Sequence, residues 1–221
     1  KYGITTAELF HALGLRLTGL PMSKLQTCFE ENGFALVHQP DHFSLADGLI
    51  NYRDEIGKRP PLASMELMWT AHQGEHLLIS GFVHPPTEER ARKTLELIGE
   101  TNAISIKGLE GGIDLPISRP CITGHFKQSQ STRVILHPRD YKCSGIDMAW
   151  HNLEEWRDHA LAALENKGPL QKALRWNAGI YLWFSGITNS LQDGLTKAEA
   201  CMTRSSGKTK LEELIAWRTK T

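Results

Sequence analysis

Three stretches of this chain set out side chains capable of chemistry. In YRDEIGKRP (Tyr52 to Pro60), Arg53 and Arg59 stand on either side of Gly57. A guanidinium grips a carboxylate or a phosphate through two parallel hydrogen bonds, so two arginines around a helix stop form a candidate anion fork. The plainer account is a solvated helix end, with Arg53 paired to Asp54 or Glu55 or complementing the helix C-terminus. In KGLEGGID (Lys107 to Asp114), three glycines are set among Glu110 and Asp114. Backbone amides in such a loop can face a phosphate, and carboxylates are hard oxygen ligands suited to magnesium. A tight turn between strands is again the plainer account. In HQGEH, His72 and His76 stand four apart around Glu75. On a helix that spacing can hold zinc, but the glutamate is displaced from the H-E-x-x-H position and Gly74 weakens a helix, which favours a polar turn. The chain shows no Ser-His-Asp or Cys-His nucleophile pattern, no Walker loop and no G-x-G-x-x-G. No catalytic nucleophile is therefore assigned.

The elements that must position these residues are punctuated clearly. Ser23 and Gln26 form a capping-box pattern, and Gly33 stops the helix that follows. Leu45, Leu49, Tyr52 and Ile56 make one apolar stripe ending at Gly57, which predicts a single helix carrying Arg53 near its end. Thr87 reads as an N-cap before Glu88 and Glu89, and Asn152 as another before Glu155. ALRWNAGIYLWFSG (173–186) is apolar nearly all round, which predicts a buried helix. Short apolar runs suit buried strands: FALVH (34–38), LLISGF (77–82), AISIK (103–107) and RVILH (133–137). KQSQST (127–132) reads as a linker. Helices alternating with such runs give an α/β class with a central, mostly parallel or mixed sheet flanked by helices. Ligand sites in such sheets lie beyond the carboxyl ends of the strands, where KGLEGGID falls.

The totals narrow the classes. Lysine plus arginine equals aspartate plus glutamate at 25 each, so the 221 residues carry no net charge and nothing marks a general polyanion binder. The hydrophobic fraction of 40% and the charged fraction of 23% are those of a soluble globular protein. Four cysteines without C-x-x-C spacing suggest reduced thiols and a cytoplasmic home. The apolar window at 173–186 contains Arg175 and Asn177 and falls short of the roughly 20 residues of a membrane span. With Lys1 first and no leader after it, the chain reads as beginning inside a longer protein.

The order of the pieces carries more than any one of them. TTAELFHALGL, CFEENGFALVHQPDHF, YRDEIGKRP, GFVHPPTEERARKTLELIG, KGLEGGID, GPLQKALRWNAGIYLWFSGITNSLQDGLTKAEA and GKTKLEELI together resemble the anthranilate phosphoribosyltransferase family, in order and over nearly the whole chain. The resemblance implies an α/β domain at 1–40 and 75–221. It also implies that 41–74 is a short helical segment joining a separate small helical domain, most of it in a family section that this sequence lacks. It implies magnesium-dependent transfer of a 5-phosphoribosyl group from phosphoribosyl pyrophosphate to an aromatic amine such as anthranilate, in tryptophan biosynthesis, by a cytoplasmic homodimer with no membrane contact. On this resemblance Arg53 holds the acceptor carboxylate. Thr5 and Thr6 fall near the diphosphate site, while Gly111, Glu110 and Asp114 lie where the family places its metal-binding acids, with Gly111 as a substrate-binding residue and Glu110 and Asp114 as the metal ligands. Asn177 and Gly179 are implied as packing positions and Ser190 as a helix cap. Two departures stand out. The family's adjacent acids after the glycine become GGIDLP, with Ile113 at one place, and the segment after Arg59 reads PPLASMELMW. They point to a divergent branch, for which binding of nucleic acid or another anion through Arg90, Arg92, Lys93, Lys208 and Lys210 is the alternative. Zero net charge weighs against it.

Overall fold

The computed structural model describes residues 3–57, 65–128 and 130–220. Arg59, Pro60 and Pro61 lie outside them. The chain forms two compact units: a helical unit of 1–60, 150–168 and 201–221, and a sheet unit of 61–149 and 169–200.

In the helical unit, α1 (Thr6–Ala12) opens on a complete capping box. α2 (Met22–Asn32) starts after Pro21, one residue before the expected Ser23 cap, and stops at Gly33 in the left-handed region, φ 67°. α7 (Leu153–Leu164) is capped by Asn152, whose side chain accepts the Glu155 N–H at 2.8 Å. α7 packs on α1 and on α10 (Ser206–Thr219), and α10 packs on α2. Leu15, Leu17, Leu20, Cys28, Leu211 and Leu214 form the core, with Phe34 and Leu36 against it. FALVH is therefore not a strand. It runs between α2 and the next helix, pairing with no strand among the described residues, and its alternate residues Phe34 and Leu36 pack against the helical core. The described residues 3–40 fall in this helical unit.

The single helix expected across the Leu45–Ile56 stripe is broken. α3 (Gln39–His42), α4 (Ser44–Asp47) and α5 (Ile50–Ile56) follow one another, with Gly48 and Leu49 turning between the last two. The stripe is not buried within its unit either: Leu45 is 91% exposed, Tyr52 63% and Ile56 67%. Gly57, at φ 69°, does end α5.

The sheet unit holds a mixed four-stranded sheet in the order β1-β2-β3-β4. β1 (Leu78–Gly81) runs parallel to β2 (Asn102–Ile106). β3 (Cys121–Lys127) and β4 (Gln130–Leu136) continue antiparallel. The α/β class and the mixed sheet are as expected. However, β3 was absent from the expected strands, and the supposed linker KQSQST lies largely within the β3–β4 hairpin. The crossover between β1 and β2 is α6 (Pro85–Leu97), which begins at two prolines after His84 rather than at Thr87. Glu88 in its first turn is buried, accepting from Ser105 Oγ at 2.8 Å and from Arg133 at 2.5 Å.

Ile104, Ile106, Leu115, Ile117, Cys121, Leu136, Trp176, Ile180 and Leu195 make the main core. α8 (Gln171–Phe184) packs Trp176, Ile180 and Phe184 into it, while most of its other residues are only partly covered, so the burial expected from its apolar circumference holds for one face. α9 (Leu191–Thr203) crosses α8 backbone to backbone: a Cβ on Gly194 would lie 2.2 Å from the Gly179 carbonyl oxygen, so no side chain fits there. Ser190 accepts the Asp193 N–H at 3.1 Å and donates to its carboxylate, the cap expected of it. Among the described residues no helix is long and apolar enough to cross a membrane.

Candidate functional site

The parallel pair β1 and β2 end side by side, at Gly81 and Ile106, and the loop 107–114 leaves from that edge. This is where α/β geometry places ligands. The loop is folded on itself: the Leu109 N–H reaches the Asp114 carbonyl at 2.8 Å, and the Gly112 N–H reaches the Leu109 carbonyl at 2.8 Å. Glu110 sits in the left-handed region, φ 50° and ψ 25°, and Gly111 follows at φ 82°. Two glycines make this fold possible by close approach. A Cβ on Gly81 would lie 2.2 Å from the Gly111 carbonyl oxygen, and one on Gly108 would lie 2.2 Å from the Gly112 carbonyl oxygen. β1 and the loop thus meet as bare backbone.

Asp114 and Glu110 are both on this loop. Asp114 is exposed by area, yet the protein mass around it desolvates its carboxyl and raises its pKa. Among the described residues no three His, Cys, Asp or Glu side chains gather to hold a metal. Two carboxylates on a glycine loop suit a hard cation that keeps water and substrate oxygens as its remaining ligands, which is magnesium's habit. The donor set fits magnesium in that limited sense.

Helix α8 ties the loop down from below. Asn177 accepts the Leu115 N–H at 2.8 Å and donates to the Leu115 carbonyl at 3.1 Å and the Ala173 carbonyl at 3.0 Å. Tyr181 donates its hydroxyl to the Ile113 carbonyl. Burial, with the charge of Asp114 next, pushes the Tyr181 phenol upward, so it stays a neutral donor. Sequence reasoning marked Asn177 only as a packing residue and passed over Tyr181. The available signal was two polar side chains four apart in an apolar helix, which puts both on one face.

The other expected residues belong to the helical unit. Thr5 is the α1 cap: it accepts the Glu8 N–H at 3.2 Å, and its hydroxyl and N–H both donate to the Glu8 carboxylate at 2.7 Å. Its hydroxyl proton turns to a ligand only by leaving the Glu8 carboxylate. Thr6 is the first helical residue and is exposed. Arg53 is half-buried in the last turn of α5, where its carbonyl accepts the Gly57 N–H. The structure brings Gly111, Glu110 and Asp114 into one loop and holds Arg53, Thr5 and Thr6 in the other unit.

His72 and His76 do not form a zinc pair. They lie on a non-helical segment with ring centroids 6.2 Å apart. His76 donates from Nδ1 to the Gly74 carbonyl at 2.7 Å and from Nε2 to Glu100 at 2.9 Å. The Gly74 bond and then Glu100 raise its pKa. Burial works to raise the Glu100 pKa, but the Asn102 N–H, His76 and the Thr101 N–H outweigh it and lower the value. The raised histidine stabilises the fold fully below its ordinary 6.5 and loses that contribution as pH rises through the folded pKa. The lowered carboxylate contributes above its ordinary 4.5 and is lost on further acidification. The stability advantage of the native protein over His76→Ala should therefore be greatest between pH 4.5 and 6.5 and shrink above it, as read from urea midpoints across a pH series. Buried thiols offer no nucleophile; desolvation pushes Cys121 up to about 11.

No family model matches the chain. Among curated relatives, the anthranilate phosphoribosyltransferase of Laribacter hongkongensis is 25% identical over 214 residues, covering 95% of this chain and 62% of the relative. That of Chromobacterium violaceum is 26% identical over 215 residues, covering 96% and 62%. Among solved structures, anthranilate phosphoribosyltransferase from Saccharomyces cerevisiae in complex with phosphoribosyl pyrophosphate and magnesium matches with a TM-score of 0.84 at 14% identity, over 96% of this chain and 61% of that one. The Thermus thermophilus enzyme matches with a TM-score of 0.76 at 21% identity, over 95% and 63%. These structural matches speak for the fold. The chain spans about three-fifths of the length of the curated relatives it matches.

Proposed function

We propose that this chain, which belongs to the anthranilate phosphoribosyltransferase family, forms part of a magnesium-dependent enzyme that moves a 5-phosphoribosyl group from phosphoribosyl pyrophosphate to anthranilate or a related aromatic amine. The observation that carries the reading is the acid-bearing glycine loop folded at the carboxyl edge of the β1–β2 pair. In the reaction the bond between the ribose and diphosphate loosens, and the sugar takes on oxocarbenium character, as in glycoside hydrolysis. No enzyme nucleophile is needed, because the amine itself attacks the ribose as the diphosphate leaves. Magnesium, when bound, neutralises charge gathering on the departing diphosphate. Asp114 and Glu110 are the residues that would hold it, with Gly111 letting the diphosphate approach the backbone. Thr6 would lie by the diphosphate, and Arg53 would clamp the acceptor carboxylate and so set its amine against the ribose.

The exposed stripe of Leu45, Leu49, Tyr52 and Ile56 supports a second part of the reading: segment 41–57 joins a helical domain through which the family's homodimer forms. Calorimetry on the full-length protein tests the main proposal. Phosphoribosyl pyrophosphate should bind with a magnesium requirement, and silence at millimolar ligand would rule the activity out.

A further inference from the structure

The bonds from α8 to the glycine loop have a pattern that packing alone does not require. Asn177 and Tyr181 are four residues apart on a helix, a rise of about 6 Å. Their targets, Leu115 and Ile113, are two residues apart along the chain, a span of at most about 7 Å. One face of α8 thus addresses the backbone on both sides of Asp114, and none of these bonds uses the Asp114 carboxylate. The loop's own closure reaches the same residue through its carbonyl. Among the described residues these holds around Asp114 are all on main chain, and none of them occupies its carboxylate.

We propose that Tyr181 and Asn177 are positioning residues, which fix the backbone around Asp114 so that its carboxylate meets a divalent cation carried by a diphosphate. The inference rests on the reading of Asp114 as a cation ligand. Neither residue touches the cation or the substrate; both act through Ile113 and Leu115.

Tyr181→Phe is the test, because it removes one hydroxyl and keeps the ring in the core, whereas changes at Asn177 put folding at risk. Binding of Mn2+ in the presence of inorganic diphosphate, followed by electron paramagnetic resonance on the full-length protein, gives a readout independent of turnover. Tyr181→Phe should weaken Mn2+ by about tenfold, the low end of losses on removing a residue that orients a metal ligand. Asp114→Asn should weaken it at least as much, and adding Tyr181→Phe to Asp114→Asn should cost nothing further. If Asp114→Asn weakens Mn2+ while Tyr181→Phe does not, the positioning role is wrong and the cation reading stands. An equal loss from Tyr181→Phe in both backgrounds also overturns the positioning role, since the hydroxyl would then act elsewhere. If Asp114→Asn binds Mn2+ as the native protein does, the cation reading falls and this inference falls with it.

Discussion

Asn177→Leu should cost the sheet unit about 2–6 kcal/mol, from stranding two main-chain groups at about 1–3 kcal/mol each. The groups are the N–H and C=O of Leu115, which is buried in the main core. Leucine keeps most of the volume, so a cavity adds little and the loss reports the hydrogen bonds. The effect should appear as a lower urea midpoint for the sheet unit and as faster hydrogen exchange at the Leu115 amide. A loss under about 1 kcal/mol would mean that water takes over both bonds.

Arg53→Ala should weaken acceptor binding by about 1.5–3 kcal/mol, the range for a hydrogen bond to a charged group. That is roughly ten- to a hundredfold in the dissociation constant of anthranilate, measured with phosphoribosyl pyrophosphate and magnesium present. Phosphoribosyl pyrophosphate itself should bind as before, because the proposed contact is with the acceptor alone. The fold should survive, since Arg53 is half-buried at the end of a short helix and lies in neither core. Unchanged anthranilate affinity would remove Arg53 from the site.

The glycine loop was legible because its chemistry is local. KGLEGGID carries its glycines, its acids and its place after a strand within eight residues. FALVH was misread because a short apolar run tells that residues such as Phe34 and Leu36 pack against something, not whether strands or helices cover them. β3 was missed for the opposite reason: CITGHFK places Gly124 and His125 in mid-strand, which breaks an apolar run. The stripe on 45–56 was visible, but a stripe does not say where its partner lies, and within this unit it has little cover. Tyr181 was hidden because its partner, Ile113, lies 68 residues away and is reached at the backbone, where sequence leaves no mark.

The interleaving of the two units sets an order on synthesis. The sheet unit ends at Ala200, so all of its residues have been joined to the chain before α10 is made. The helical unit is different, because Leu15 and Leu17 need Leu211 and Leu214 to complete their core. Contacts separated by almost the whole chain close late, after the loop entropy between them has been overcome. During translation Leu15 and Leu17 must therefore wait for Leu211 and Leu214, whereas the sheet unit uses no residue made after Ala200. The core at the start of this chain is thus among the last parts to be finished, and until then its apolar side chains lack their cover, the condition under which chains aggregate.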